Sequence, residues 1–301
     1  MSGPTETKRG IASGDLTGAA FIQRLETLFL LVRRVLGGSM QADRKSTRKG
    51  TGITFADYAE YRHGDDYRAI DWRVYARFDE LVVKLFELEE DATVYILLDL
   101  SHSMTTKTGI ARRLAAALGY IGLNCQDRVA VYGLADELRP LLDPSRGRAH
   151  VLPLLRSLET AEGFGKDTDF SGCVRTLQAR RGKRGLVIVI SDFFFPNGFD
   201  EGLKRLVGIG HDVHALQVLS VEDLECHQKG DVELECVESG ARKRVTLTAR
   251  EIDAYAKAVS DWNERLRTEC ARRGIGFTRT MADEAFDEVI RTILQRGGLA
   301  S

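Results

Sequence analysis

The chain lacks most features that would announce a compartment, a polyanion or a nucleotide. Its five cysteines, at positions 125, 173, 226, 236 and 270, form no CxxC pair and are odd in number. That excludes a disulfide framework and reads as a reduced, cytoplasmic chain. Cys226, His227 and Cys236 lie at no spacing that structural zinc uses. Charge of one sign is also missing: 43 Lys and Arg stand against 44 Asp and Glu, a net charge of -1. No overall field therefore exists to draw the chain to nucleic acid or an anionic membrane. No secretory leader is recognisable, and no apolar run is long enough to span a bilayer. The sequence contains no GxxxxGK[ST] loop, so ATP hydrolysis, where needed, belongs to another protein. There is no internal repeat.

What is present is an ordinary core-forming composition, 43% hydrophobic and 29% charged over 301 residues, enough for one large α/β domain with additions. The stretch "FIQRLETLFLLVRRVL" (21–36) carries Phe21, Leu25, Leu28, Phe29 and Val32 at helical spacing. It is an amphipathic helix expected to pack on the body of the protein, with a lipid or partner surface as the alternative. "GGSMQADRKSTRKGTG" (37–52) has no apolar period and reads as a basic linker; no aromatics are interleaved with its charges to stack bases.

From residue 92 strands and helices alternate. Apolar strands are expected in 92–101, 127–136, 138–143, 185–195, 212–219 and 275–280, with helices between them and a final helix at 285–296. The alternating stretch 230–248 reads as an inserted hairpin turning at Ser239-Gly240. This pattern predicts a doubly wound, mostly parallel, Rossmann-type α/β sheet covered on both faces. Three regions follow: helix and linker over 1–52, an N-terminal β segment over 53–91, and the main domain over 92–299.

Two of the strands end in acids. "YILLDLSHSM" (95–104) delivers Asp99, then Ser101 and Ser103 at alternate positions, and "VIVISDFFF" delivers Asp192. With strand order 3-2-1-4-5-6 these two strands are neighbours at the switch point, outside whose carboxyl ends ligands bind. "KDTDFSG" adds Thr168 just before a helix. Asp99, Ser101, Ser103, Thr168 and Asp192 are all oxygen donors, a set suited to Mg²⁺ or Mn²⁺ with open positions left for an acidic group from outside. The alternative is that Asp99 and Ser101 merely cap the next helix.

The DxSxS run, the threonine and the later aspartate resemble the metal-ion-dependent adhesion site of von Willebrand factor A domains. Residues 55–91, "FADYAEYRHGDDYRAIDWRVYARFDELVVKLFELEED", are similar to a widespread bacterial family of unknown function with a von Willebrand A-like domain. The resemblance covers roughly 45–297. It implies a von Willebrand A-like fold and a MoxR-type AAA+ ATPase as partner. This chain departs from many relatives in having no membrane helices ahead of the motif, and in carrying "GKD" where small glycines usually precede Thr168. Within "GDDYRAIDWR" and its flanks, Arg62, Asp65, Asp66, Arg68, Asp71, Trp72 and Arg77 form either a salt-bridged structural clasp or a partner-recognition surface. The expected function is a non-enzymatic, metal-dependent protein-binding module taking an acidic side chain at the metal. The alternative is a Mg²⁺-dependent phosphoryl transferase with Asp99 as nucleophile. That reading suffers because Ser101 replaces the second acid of a DxD motif and no lysine stands out as a charge partner.

Overall fold

The computed structural model describes residues 15–36, 45–49, 54–62, 66–89, 93–165, 168–226, 230–235 and 242–295. The chain divides into two compact units, Met1–Phe29 with Ala92–Ala300, and Leu30–Asp91. Among the described residues no helix is long and apolar enough to cross a membrane.

Helix α1 (Ala19–Leu36) packs its first three turns on the larger unit. Phe21, Leu25 and Leu28 are buried, one stripe at i, i+4 and i+7 as the sequence predicts. The Phe21 ring meets Phe286 at 5.2 Å between centroids, and the Arg24 guanidinium lies 4.6 Å over the same Phe286 ring while pairing with Asp287.

The smaller unit is a three-stranded antiparallel sheet in the order β1-β3-β2, with β1 (Lys45–Lys49), β2 (Thr54–Glu60) and β3 (Val82–Glu89). Helix α2 (Trp72–Phe78) lies between β2 and β3 in sequence. Part of the expected basic linker is thus a strand: Lys45 to Lys49 pair with Glu89 to Leu85. The open backbone edge of β3 supplies the pairing that an apolar period would otherwise signal, and lysine is a usual residue on an edge strand.

Past α1, the larger unit continues with β4 (Thr93–Asp99), buried at every position. Helix α3 (Thr108–Asn124) leads to β5 (Arg128–Leu134), which turns tightly into β6 (Leu138–Arg146). Helices α4 (Val151–Thr160) and α5 (Phe170–Ala179) precede β7 (Gly185–Ser191). Next come α6 (Asp200–Ile209), β8 (Asp212–Leu219) and the short α7 (Val221–Leu224). The inserted hairpin follows, β9 (Gly230–Glu235) pairing antiparallel with β10 (Arg242–Leu247); its expected Ser239-Gly240 turn lies outside the described residues. Helix α8 (Ala249–Arg272), β11 (Gly276–Met281) and α9 (Phe286–Gln295) close the unit.

The six main strands run in the order β11-β8-β7-β4-β5-β6, which is the 3-2-1-4-5-6 arrangement. Every neighbouring pair is parallel except β5 with β6. Alternate residues of β4 serve opposite layers. Tyr95 and Leu97 join a core built with α5, α6 and α8, whereas Ile96 faces α3 at Gly119. Covering both faces is what lets a parallel sheet consist of continuous apolar runs. Because Leu25 is fully buried, Leu25→Ala should destabilise the protein by about 2–5 kcal/mol. Urea unfolding would measure it, and an unchanged midpoint would mean that α1 is not part of the folded body.

Candidate metal centre

Strands β4 and β7 lie side by side with Leu98 opposite Ile190, so Asp99 and Ser191 end the two strands level with one another. The Ser191 hydroxyl donates to Asp99 Oδ2, and the Ser101 N–H donates to Asp99 Oδ1 at 3.0 Å. The resulting turn sets the Ser101 and Ser103 hydroxyls 3.0 Å apart. Asp99 and Ser101 are buried, while Ser103 is half-buried and His102 exposed, so the cluster meets the surface at Ser103.

After Ser191 the chain reverses at Phe193, whose φ of 62° is left-handed, an uncommon conformation for a bulky residue. Three contacts hold it: the Phe193 N–H donates to Ser191 Oγ at 2.9 Å, Trp262 Nε1 donates to the Phe193 carbonyl at 3.1 Å, and the ring is buried against Phe195. Asp192 is left at the strand tip, with Oδ1 accepting the Phe194 N–H at 3.0 Å and its carbonyl accepting Gln217 Nε2 at 3.1 Å. Gln217 also donates to Asn263 Oδ1 and accepts from Arg279 Nε, so a polar network from β8, α8 and β11 backs the site.

Thr168 reaches the same end of the sheet by backbone pinning. The Phe164 N–H donates to the Leu100 carbonyl at 3.0 Å and the Asp169 N–H to the Ala135 carbonyl at 2.9 Å. Thr168 is buried, directly before Asp169, which caps α5 through the Gly172 N–H. The capping alternative for the DxSxS run does not hold. Helix α3 begins at Thr108 with Lys107 as its N-cap, and Ser101, which opens the short 3-10 turn before it, makes no side-chain cap bond.

Sequence reasoning missed Lys107. Its side chain is 1% exposed, and Nζ donates to Asp192 Oδ2 at 2.7 Å and to Asp223 Oδ2 at 2.9 Å. Burial alone would lower the Lys107 pKa, but attraction and hydrogen bonds from Asp192 and Asp223 outweigh it, and the net shift is upward. The ammonium form is therefore the one held. The lysine that seemed to be lacking as a charge partner is thus present, hidden in "TKTG", where it reads as a solvated side chain.

Asp99 moves the other way from an ordinary carboxyl. Burial first, and the neighbouring Asp192 charge second, push its pKa from 3.8 up to about 7, against the hydrogen bonds from Ser191 and Ser101. Two buried acids thus meet at the strand tips, and the Lys107 ammonium there pairs with Asp192 rather than Asp99. Together with adjacent hydroxyls, the two acids are a donor set that fits a hard divalent cation. Among the described residues no group of three or more His, Cys, Asp or Glu could hold a metal ion, so a cation at the strand tips would depend on hydroxyl ligands beside its two acids; His227 and Cys236 lie outside the described residues.

In the smaller unit, Asp71 is 7% exposed. It caps α2 through the Arg73 N–H at 2.9 Å, accepts the Tyr58 hydroxyl at 3.0 Å, and donates its own N–H to the Val82 carbonyl. Asp66 accepts the Arg68 N–H. Arg62, Arg68, Trp72 and Arg77 are exposed, with the Trp72 ring edge-on to Tyr75 and the Arg68 guanidinium over Tyr67. Asp65 lies outside the described residues. The local fastening runs through Asp71, whereas the named arginines and the tryptophan face outward.

Residues 57–265 match the family described as protein of unknown function DUF58. The chain belongs to this family. The DUF58 match starts within β2, ends within α8, and takes in every residue of the strand-tip cluster. The uncharacterized protein Rv1480 of Mycobacterium tuberculosis is 27% identical over 256 residues, which are 82% of this chain and 80% of the relative. Among solved structures, the conserved hypothetical protein BatB from Bacteroides thetaiotaomicron is 19% identical with a TM-score of 0.46, covering 68% of this DUF58 chain and 96% of its own. A von Willebrand factor type A structure from Catenulispora acidiphila is 13% identical with a TM-score of 0.39, covering 72% and 44%.

Two outcomes are expected of this DUF58 protein. Asp99 binds its proton more tightly folded than unfolded, so in EDTA its contribution is full below about pH 4 and is lost as pH rises through about 7. Asp99→Asn should flatten that decline and stabilise the metal-free protein at pH 8 relative to the parent, on the order of 2 kcal/mol. Urea unfolding at pH 5 and 8 checks this, and parallel pH profiles for both proteins would contradict it. In the smaller unit, Arg68→Ala should change stability by no more than about 0.5 kcal/mol. Asp71→Ala should cost about 1–2 kcal/mol, the loss of a helix cap plus a buried acceptor. Melting curves that rank the two in the opposite order would overturn this assignment.

Proposed function

We propose that this protein is a non-enzymatic, metal-dependent protein-binding module. Asp99, Ser101, Ser103, Thr168 and Asp192 would hold Mg²⁺ or Mn²⁺, directly or through water. An acidic side chain of a protein partner would complete the coordination from the Ser103 side. The observation that carries this reading is the cluster itself: two carboxylates 1% exposed at adjacent strand tips, next to a pair of hydroxyls, with Asp99 pushed to about 7 by burial and by the Asp192 charge. Neutral hydroxyl ligands leave a bound cation electron-poor, and so receptive to an external carboxylate. Resemblance to bacterial proteins paired with MoxR-type AAA+ ATPases supports such an ATPase as partner, in a chaperone-like or assembly role in the cytoplasm. The exposed Tyr67, Trp72 and Arg68 supply a second surface rich in residues typical of binding hot spots.

The phosphoryl-transferase alternative gains one observation, the charge partner Lys107. It is weakened by Ser101 in place of an acid, and by Asp99, whose two oxygens both accept hydrogen bonds and which is 1% exposed. An in-line nucleophile needs an approachable oxygen.

Calorimetry with Mn²⁺ should give one site, abolished in Asp99→Ala. Capture of a purified MoxR-type ATPase should be released by EDTA and restored by Mg²⁺. Ser101→Ala with Ser103→Ala should mimic EDTA at a stability loss of no more than about 2 kcal/mol. Capture that persists undiminished in EDTA would defeat the metal bridge, and turnover of a phosphate ester that vanishes in Asp99→Asn would favour the enzyme.

A further inference from the structure

Lys107 occupies a position that local rules disfavour. As the N-cap of the 17-residue helix α3 it offers no oxygen to accept a helix N–H. It also places a cation's backbone at the end of the helix dipole that prefers anions. Its ammonium is then carried out of water to the strand tips, where it touches Asp192 and Asp223 and nothing of the helix. A residue that breaks local preferences and ends in a candidate site is the pattern expected of a functional constraint.

We propose that Lys107 is a built-in competitor for the cation at this site, and that Asp223 is the counter-ion that lets it yield. The inference rests on the metal reading above. Asp192 Oδ2 is already the acceptor of the Lys107 ammonium at 2.7 Å, so a divalent ion drawing on Asp192 meets a positive charge fixed beside its own ligand. The repulsion weakens binding of the metal alone. Asp223 answers the charge from the other side: its Oδ2 accepts both Lys107 Nζ at 2.9 Å and the Ser220 N–H at 2.8 Å. It is 20% exposed at the side chain. It belongs to the capping box of α7, and the Tyr255 hydroxyl of α8 holds its carbonyl. When the metal takes Asp192, Lys107 keeps a preformed partner. The site is thereby tuned to hold a cation loosely until an external carboxylate joins it, while the metal-free fold never contains an unpaired Asp192.

The test is Mn²⁺ titration by calorimetry of the parent, Lys107→Met and Asp223→Asn, each also melted with EDTA and with excess Mn²⁺. Methionine keeps the length and flexibility of the stem without the charge. Lys107→Met should bind Mn²⁺ at least tenfold more tightly than the parent, melt lower in EDTA and recover in Mn²⁺. Asp223→Asn should bind several-fold more weakly, because Lys107 then has only Asp192 to hold. Should Lys107→Met fail to fold even with Mn²⁺, the Asp223→Asn affinity decides alone. Parent-like Mn²⁺ affinity in the variants would overturn the competitor role and leave the metal reading standing. No Mn²⁺ binding by the parent or any variant would overturn the metal reading, and this inference with it.

Discussion

Removing two carboxylates from water at neighbouring strand tips is costly unless charge and hydrogen bonds replace the lost hydration, and the carboxyl end of the main sheet is organised around that requirement. Lys107 answers for Asp192 from α3, Ser191 answers for Asp99 from β7, and backbone N–H groups at Ser101 and Phe194 take one oxygen of each acid. Breaking such a buried pair typically costs 3–5 kcal/mol, although the intact pair adds little over an apolar replacement. Stability alone therefore does not account for the acids. A sheet that only needed to fold would end these strands in apolar or capping residues. The left-handed Phe193 points the same way, since a bulky residue in that conformation is sustained only by its surroundings, here Trp262, Phe195 and Ser191.

Much of this arrangement was legible in the sequence because parallel strands buried on both faces have to be nearly continuous in apolar residues. That made the runs ending at Asp99 and Ser191 visible, and the switch-point rule then placed them side by side. What stayed hidden were residues whose role depends on long-range packing. Lys107 sits among threonines, and nothing local separates a buried lysine from a solvated one. Asp223 looks like an ordinary helix cap, and is one, but its second contact is 116 positions away. The strand Lys45–Lys49 was hidden for another reason: its pairing comes from the backbone of β3, and backbone pairing demands no apolar alternation in the strand that makes it.

The smaller unit shows how composition can mislead about burial. A stretch dense in arginine, aspartate, tyrosine and tryptophan reads as a self-satisfied network. Yet among its described acids and arginines only Asp71 is buried, and the bonds it makes include those to a phenol and to backbone groups. The cap of α2 and its tie to β3 through the Asp71 N–H use no arginine side chain. That leaves Arg68, Trp72 and Arg77 unexplained by folding, with Trp72 59% and Tyr67 63% exposed. Large aromatic surface left in water is the feature of such a unit that most often marks a contact with something else.

The substitution that weakens an enzymatic reading is the one that strengthens a binding one. With an acid at position 101, a bound Mg²⁺ would face a third carboxylate, and Asp99 could act as a nucleophile with a general acid beside it. With Ser101 and Ser103 there instead, the cation keeps more of its charge and no carboxylic acid at position 101 can serve Asp99 as general acid, while each Asp99 oxygen, accepting one hydrogen bond from Ser101 or Ser191, keeps a lone pair for a cation. Lys107 adds to this by offsetting the charge of Asp192. The ligand best matched to what remains is one that brings its own negative charge and is not transformed, and a carboxylate side chain entering past half-buried Ser103 meets both conditions.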